Sequence, residues 1–168
     1  QTPWDRWNAG DDAALTPGQL RGLVVFNDRG RCELCHHAPA FSDGDFHFIG
    51  FHEPTWDLGR KGIDTAFGVP GAQRTPTLRN VGLREKTGLL HNGAGAGASL
   101  AQIIDLYDLG GLVDNAAVTA VPIDAIMQPL KLTPGEKADL LDFLQHGLED
   151  PRVKAQTAPF DRPTLAAE

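Results

Sequence analysis

The stretch "GRCELCHHAP", residues 30–39, has two cysteines three positions apart, and a histidine follows the second cysteine directly. Cys32, Cys35 and His36 therefore form a C-x-x-C-H motif. Three kinds of site use such a pattern: a zinc knuckle, a redox-active dithiol and the covalent attachment site of a haem. The choice among them depends on what the rest of the chain supplies.

A structural zinc ion needs four ligands, which usually come from a second pair of Cys or His residues. The chain has only these two cysteines, and its histidines at 91 and 146 are single and far apart, while those at 47 and 52 lack a matching partner knuckle. A thioredoxin-like dithiol needs a preceding strand within a βαβ unit. The segment before Cys32 has the pattern of a helix instead, so both interpretations are disfavoured.

The haem interpretation uses every residue of the motif. Cys32 and Cys35 would bond the two vinyl groups through thioethers, and His36 would lie under the iron as its proximal ligand. The sequence therefore predicts one covalent haem c. His37 is expected to be solvated or to face a haem propionate rather than to bind a metal.

Two segments begin almost identically, "LTPGQLRGLVVF" from Leu15 and "LTPGEKADLLDFL" from Leu132. In each, a threonine can cap a helix and a proline takes the first helical position. Gln19 and Glu136 stand three residues after their threonines and complete capping boxes. Apolar residues then recur at helical spacing, so both segments are predicted helices that each bury one face.

A third helix is predicted in "SLAQIIDLYDLGG", with Ser99 as its cap and Gly110 as its stop. Residues 41–73, "FSDGDFHFIGFHEPTWDLGRKGIDTAFGVPGAQ", show no helical period. A loop this long in a compact domain usually encloses something. The expected fold is mostly α: a cytochrome c-like helical domain with long ordered loops around one covalently bound haem.

The chain of 168 residues fits one domain, residues 1–168, with residues 1–14 as an N-terminal segment leading into it and residues 150–168 as an extended C-terminal tail. The net charge of −7 argues against nucleic acid, since no basic stripe is present to neutralise phosphates, and it permits steering toward a basic partner. No apolar run approaches the roughly 20 residues of a membrane helix. Residues 1–10 carry no signal-peptide pattern, so the signal of an exported protein would already have been removed.

The sixth ligand of the iron separates electron transfer from reaction with small molecules. Met127, the single methionine, lies six residues before Thr133, the cap of the last helix. A thioether ligand raises the potential and suits an electron carrier, so Met127 is the favoured distal ligand over a role in the core. Tyr107, the single tyrosine, ends the third helix and is the alternative ligand or a packed aromatic.

Other side chains are candidates for contact with the haem periphery. His91, in "LLHNGAGAG", could reach a propionate or the haem edge, although a structural role is weighed above a catalytic one. Arginines can neutralise propionates, because buried carboxylates need partners. The candidates for this role are Arg60, Arg74 and Arg79.

Several stretches, in this order, resemble the C-terminal haem domain of the bacterial dihaem cytochrome c peroxidase and MauG superfamily. The match covers nearly the whole chain and rests on these stretches: "TPWDRWNAGDDAALTPGQLRGLVVFNDRGRCELCHHAPAFSDGDFH", "RTPTLRNVGL", "LLHNGAGAGASLAQIIDLYDLGG", "LKLTPGEKADLLDFL" and "EDPRV…APFDRP". Members of the family have two haem domains, and the second carries the six-coordinate haem that accepts or relays electrons. The resemblance thus implies electron relay, a second haem domain or chain as partner, and a periplasmic location.

The resemblance also implies a calcium ion between the two domains, bound by backbone carbonyls around residues 86–88. This sequence departs from the family there, because "REKTGLLH" is longer and lacks the usual proline, so calcium remains an open expectation. For the distal ligand, the peroxidases use methionine and MauG uses tyrosine at the end of the third helix. Counting forward from His91 places Tyr107 near that position, whereas counting back from the last helix favours the loop of Met127.

Three functions follow from these observations. The first is the electron-transfer half of a dihaem peroxidase-like oxidoreductase. The second is an independent monohaem cytochrome that exchanges electrons with a small redox protein. The third is a haem domain with an open distal side that itself reacts with peroxide.

Overall fold

The computed structural model describes residues 1–52, 54–90, 99–111 and 121–161 of the chain. Within these residues the regular structure is mostly helical, which confirms the mostly α prediction. The α-helices, in chain order, are α1 (Pro3–Asn8), α2 (Pro17–Asn27), α3 (Leu100–Asp108), α4 (Pro134–Asp142) and α5 (Pro151–Ala155). Shorter helical turns are the 3₁₀ turns Cys32–Leu34, Arg60–Gly62 and Val81–Arg84, and the π turn Phe143–Gly147 that continues α4.

The predicted caps begin the three main helices. The side chains of Thr16, Ser99 and Thr133 each accept a hydrogen bond from the backbone N–H three residues later, and each forms a reciprocal capping box. These bonds satisfy donors that a helix start otherwise leaves unpaired. At the other end of α3, Gly110 has φ +82°, which ends the helix as predicted.

Helix α2 packs directly against α4 at Gly22. A Cβ atom at this position would lie 2.1 Å from the carbonyl oxygen of Asp139 and 2.8 Å from Cβ of Phe143. Only glycine permits two helix backbones to approach so closely. The C-x-x-C-H segment follows α2 directly, so the packing of α2 on α4 determines where this segment lies.

Aromatic rings fill the space beside this helix pair. Phe26 of α2 lies 5.9 Å from Phe41 and 5.7 Å from Phe143, measured between ring centroids. Trp4 of α1 packs edge-on against Phe41 at 4.9 Å. Edge-to-face pairs of this kind stabilise beyond the burial of their area. The core therefore joins α1, α2 and the end of α4 to the segment that follows the motif.

Residues 41–73 form a long loop, as predicted from their lack of helical period, with one small sheet at its ends. Strands β1 (Phe46–His47) and β2 (Gln73–Arg74) pair antiparallel, with Phe46 opposite Arg74 and His47 opposite Gln73. Phe48 and Ala72, next to the strands, are buried in a small second cluster. The sheet fixes His47 beside the motif.

Each chain end contains a short helix, and the helix at the C-terminal end departs from the extended tail that was expected. Residues 1–14 contain the short helix α1. The tail, predicted to be extended from residue 150, begins with helix α5, which Asp150 caps by accepting from the N–H of Arg152. The prediction was wrong here because the composition of the tail hid a one-turn helix that starts with proline after an aspartate cap.

Candidate haem site

The C-x-x-C-H motif forms one tight turn directly after α2. Arg31 adopts a left-handed conformation with φ +50°, and the 3₁₀ turn Cys32–Leu34 follows. The N–H of Cys35 and that of His36 both donate to the carbonyl of Cys32, at 3.4 and 2.8 Å. Two thiols and one imidazole are thus presented from five consecutive residues, as covalent attachment of a planar macrocycle requires.

Burial keeps both thiols protonated. It raises the pKa of Cys32 to about 12, and it raises the pKa of Cys35 to about 11 with a further contribution from the charges of Asp43 and Asp124. Redox-active dithiols and zinc ligands sit where the thiolate is stabilised, which lowers the pKa. The raised pKa values of the two thiols therefore argue against a redox-active dithiol.

The grouping of ligand side chains also disfavours zinc. Among the described residues, the one group of three His, Cys, Asp or Glu side chains close enough to share an ion is Cys35, Asp43 and His47, with ligand atoms within 4.8 Å of one another. Cys32 is outside this group. Both nitrogens of His47 are already engaged by carboxylates, so this geometry is not a closed zinc site.

His36 is oriented as an axial ligand needs to be. Its Nδ1 lies 3.0 Å from the carbonyl oxygen of Phe41, which selects the tautomer with the proton on Nδ1. Burial lowers the pKa of His36, and it outweighs the hydrogen bonds to the carbonyls of Phe41 and Pro76, which raise the pKa, so the neutral ring is favoured. Because Phe41 belongs to the aromatic core, the core itself holds the ring in place.

Tyr107, near the end of α3, lies close to the two cysteines. Burial, with the nearby thiols of Cys32 and Cys35, raises the pKa of its phenol well above the usual range. Its ring packs edge-on against Phe51 at a centroid distance of 4.9 Å. In the described part of the chain no hydrogen bond to the Tyr107 hydroxyl is present.

Met127 lies in a loop that is tied to the same region from several sides. The N–H of Met127 donates to the carbonyl of Asp124, and the guanidinium of Arg31, just before Cys32, donates to the carbonyl of Gln128 at 3.1 Å. A Cβ atom at Gly111 would lie 3.9 Å from Cε of Met127. The Met127 loop therefore packs between the motif and the end of α3, so both predicted distal ligands lie in one neighbourhood.

The three arginines differ in how fully they are engaged. Arg79 donates to both carboxylate oxygens of Asp5, at 2.9 and 2.7 Å, and to the carbonyl of Pro39 at 2.8 Å. Arg74 donates to the carbonyl of Gly44 at 3.2 Å. The guanidinium of Arg60 lies 5.3 Å from the ring centroid of Phe46 and contacts Asp64 only at 3.4 Å. Binding of a propionate by any of them stays a prediction.

Two further predictions are not tested by these residues. His91 lies outside the described part of the chain. In the expected calcium segment, Lys86 and Thr87 are exposed, and the N–H of Thr87 donates to the carbonyl of Arg84 in a local turn.

His37 is exposed, in agreement with the solvated role expected for it.

The structure also reveals a cluster that the sequence did not predict. His47 lies between the carboxylates of Asp43 and Asp124, with Nε2 3.0 Å from the first and Nδ1 2.6 Å from the second. His47 and Asp124 are 77 positions apart, so no local pattern could have paired them. The spacing of Asp124 from Met127 was visible, but it carries no signal by itself.

The donor set of the turn fits a haem. Two free thiols, available for addition to vinyl groups, stand beside one imidazole whose Nδ1 bonds to the carbonyl of Phe41. Tyr107 and the Met127 loop lie close to this turn. In the described ranges, no helix is both long and apolar enough to cross a bilayer.

Comparison with known proteins gives relatives of one kind. No protein-family model matches the chain. A methylamine utilization protein MauG from Methylophilus methylotrophus is 33% identical over 147 residues, which cover 85% of this chain and 40% of that protein. A cytochrome-c peroxidase IdrP1 from Pseudomonas sp. (strain SCT) is 28% identical, with 100% of this chain and 48% of the relative covered. The chain spans less than half the length of these curated relatives.

Solved structures share the fold. A MauG-like protein associated with microbial copper homeostasis superposes with a TM-score of 0.78 at 24% identity, covering 96% of this chain and 55% of that one. The diheme peroxidase BthA from Burkholderia thailandensis E264 superposes with a TM-score of 0.64 at 20% identity, covering all of this chain and 51% of that one. With the sequence relatives, the shared fold leads to one conclusion: this chain belongs to the superfamily of MauG and the dihaem cytochrome c peroxidases.

Proposed function

We propose that the chain binds one covalent haem c and relays electrons as one half of a dihaem peroxidase-like oxidoreductase. The observation that carries the proposal is the turn after α2, which presents Cys32, Cys35 and a neutral His36 together. A bound haem with both axial positions filled supplies one-electron exchange without binding a substrate. Cys32 and Cys35 would attach the haem, His36 would hold its iron, and Tyr107 or Met127 would provide the second protein ligand.

The carbonyl of Phe41 orients the imidazole ring of His36. The carbonyl of Phe41 accepts from Nδ1 of His36 and holds the ring plane, which also raises the electron density at Nε2. Phe41 is 2% exposed, so this hydrogen bond is shielded from water. A ligand fixed in this way changes little in geometry when the charge on the site changes, and this favours fast electron exchange.

For the distal ligand, the contacts support Tyr107 ahead of Met127, which reverses the order expected from the sequence. The phenol lies near both cysteines, to which the haem would attach. Met127 lies in the adjacent loop at the end of α3. Tyrosine ligation would agree with the resemblance to MauG and would give a lower potential than a thioether.

The proposal also includes a second haem domain. Because the chain spans only 40 to 48% of the two curated relatives described above, we infer a second haem domain or chain as its partner. A periplasmic location and a calcium ion near residues 86–88 complete the proposal. The independent carrier and the peroxide-reactive domain remain as the other outcomes of the tests.

An absorption spectrum of the oxidised and reduced protein, extended into the near infrared, tests the proposal. A low-spin spectrum that Tyr107→Phe converts to high spin, with Met127→Leu as the matched control, would support electron relay with a tyrosine ligand. A weak near-infrared band lost only in Met127→Leu would restore methionine as the ligand. A high-spin wild-type spectrum would contradict electron relay and support direct reaction with peroxide.

A further inference from the structure

His47 connects two segments that both border the proposed haem. It lies on β1 and donates to Asp43 at 3.0 Å and to Asp124 at 2.6 Å. The three side chains are largely shielded, with exposed fractions of 19% for His47, 12% for Asp43 and 26% for Asp124. We call this group the His47 bridge.

The two carboxylates favour the charged form of the imidazole in the bridge. Burial by itself would lower the pKa of His47, but the hydrogen bonds and charges of Asp124 and Asp43 outweigh it and raise the pKa. Both ring nitrogens then carry protons and both donate. Hydrogen bonds between ionised partners are about twice as strong as neutral ones, so the bridge is a strong link for its size.

One end of the bridge is attached to the haem-binding turn. The N–H of Asp43 donates to the carbonyl of Cys35 at 2.8 Å. The thiol of Cys35 and the ligand atoms of Asp43 and His47 lie within 4.8 Å of one another. The bridge therefore starts at the second attachment point of the haem.

The other end is attached to the loop of Met127, residues 124–130. The N–H of Asp124 donates to the carbonyl of Phe48 at 2.9 Å, next to β1. Within the loop, Asp124 accepts from the N–H of Ile126 through its side chain and from the N–H of Met127 through its carbonyl, at 3.0 and 2.9 Å. Asp124 thus organises the start of the loop as well as bonding to His47.

The same loop covers the end of α3. The N–H of Leu130 donates to the carbonyl of Asp108 at 3.0 Å. A Cβ atom at Gly110 would lie 2.8 Å from the backbone nitrogen of Pro129, so loop and helix end are in close contact. Tyr107 lies near the end of α3 and Met127 lies in the loop. The contacts of this loop therefore hold whichever of the two residues would bind the iron.

We propose that His47 is a positioning residue that locks the loop of residues 124–130 against the haem-binding turn and so keeps the distal side of the haem closed. The proposal rests on the proposed haem function. It follows from an unbroken series of hydrogen bonds from Cys35 through Asp43, His47 and Asp124 to Met127. Nothing in this series requires His47 to touch the haem or a substrate.

The rate at which imidazole binds the ferric haem-loaded protein tests the proposal, because entry requires the distal side to open. His47→Ala is expected to increase this rate about tenfold or more, which corresponds to about 1.4 kcal/mol. His146→Ala is the matched control. His146 also pairs with an aspartate, Asp142 at 2.8 Å, but this pair is exposed and lies at the end of α4. The control is expected to stay within twofold of wild type.

Asp124→Asn provides a second variant in case His47→Ala does not take up haem. It keeps the shape of the side chain and its acceptor for Ile126, and a several-fold faster rate is expected. The double variant should bind imidazole no faster than His47→Ala alone, because both changes remove the same contact between His47 and Asp124. Rates within twofold of wild type in both single variants would overturn the proposal. The spin state of the wild type, measured separately, decides the proposed haem function, and the ratio of rates decides the role of His47.

Discussion

At the scale of single residues, Arg79, a predicted partner of a haem propionate, forms an ion pair with Asp5 in this structure. Its guanidinium donates to both oxygens of Asp5 and lies 5.6 Å from the ring centroid of Phe41. The sequence pointed to a propionate because arginine is the usual partner of a shielded carboxylate. Here the carboxylate is supplied by α1, so Arg79 joins that helix to the core beside the motif.

The Asp5–Arg79 pair predicts a dependence of stability on pH. The hydrogen bonds from Arg79 lower the pKa of Asp5 from 3.8 to about 2. A carboxylate whose pKa is lowered by folding contributes stability that is complete above its unfolded pKa and is lost as the pH falls toward the folded one. Asp5→Asn should therefore lower the free energy of unfolding by about 1–2 kcal/mol at pH 6 and by much less at pH 2.

Guanidinium unfolding of the variant at the two pH values measures this effect. Asp11→Asn is the control, because the Arg6–Asp11 pair has side chains that are 55% and 41% exposed. Exposed pairs contribute little, so the control should stay close to wild type at both pH values. An equal loss in the two variants would show that the pair with Arg79 has no special contribution.

At the scale of elements, the site depends on how α2 and α4 cross. The motif begins five residues after α2 ends, so the direction of α2 sets where the thiols point. The π turn that continues α4 contributes Phe143, which packs on Phe26 and on Phe41. The carbonyl that orients His36 is thus positioned by contacts between helices that are more than a hundred residues apart.

Gly22 is the position at which this crossing can be tested. In Gly22→Ala the new methyl group would meet the backbone carbonyl of Asp139, which cannot move without separating the helices. We expect a loss of about 2–3 kcal/mol in the free energy of unfolding, at the upper end for overpacking. Gly18→Ala is the matched control on the same helix, because its Cβ would lie 3.4 Å or more from the nearest side chains. Chemical unfolding should show a neutral or stabilised control, and a stable Gly22→Ala protein would refute the close packing of α2 on α4.

At the scale of the whole molecule, the chain holds one C-x-x-C-H motif and carries a net charge of −7. The proposed half of a dihaem protein should therefore bind one haem per chain and exchange electrons with positively charged partners. Mass spectrometry and a haemochrome assay of the protein test the first statement. Two haems per chain, or none, would contradict it.

The charge of the molecule predicts how the reduction rate changes with salt. A small cationic reductant should reduce the haem faster at low than at high ionic strength, because surface charges are screened beyond about 10 Å at 0.1 M salt. An anionic reductant should show the opposite trend and serves as the control. Stopped-flow absorbance gives both rates. Absence of any salt dependence would mean that the negative charge lies away from the haem edge.

The sequence by itself determined the local features of this protein. The capping boxes at Thr16, Ser99 and Thr133 and the turn of Cys32, Cys35 and His36 involve neighbours within five positions, so the chain encodes them without reference to the rest of the fold. The resemblance to the superfamily, which the comparisons confirm, came from such local stretches kept in order. The choice of haem over zinc also followed from counting cysteines.

Only the tertiary structure decided how distant residues meet. It paired His47 with Asp124 across 77 positions, paired Arg79 with Asp5, and brought Tyr107 near the cysteines. Local pattern carries no information about these pairs, because burial and helix crossing create them. The hydrogen bond from His36 to Phe41 is local in sequence, yet its shielding comes from Trp4, Phe26 and Phe143. Packing, rather than spacing, therefore makes the motif into a site.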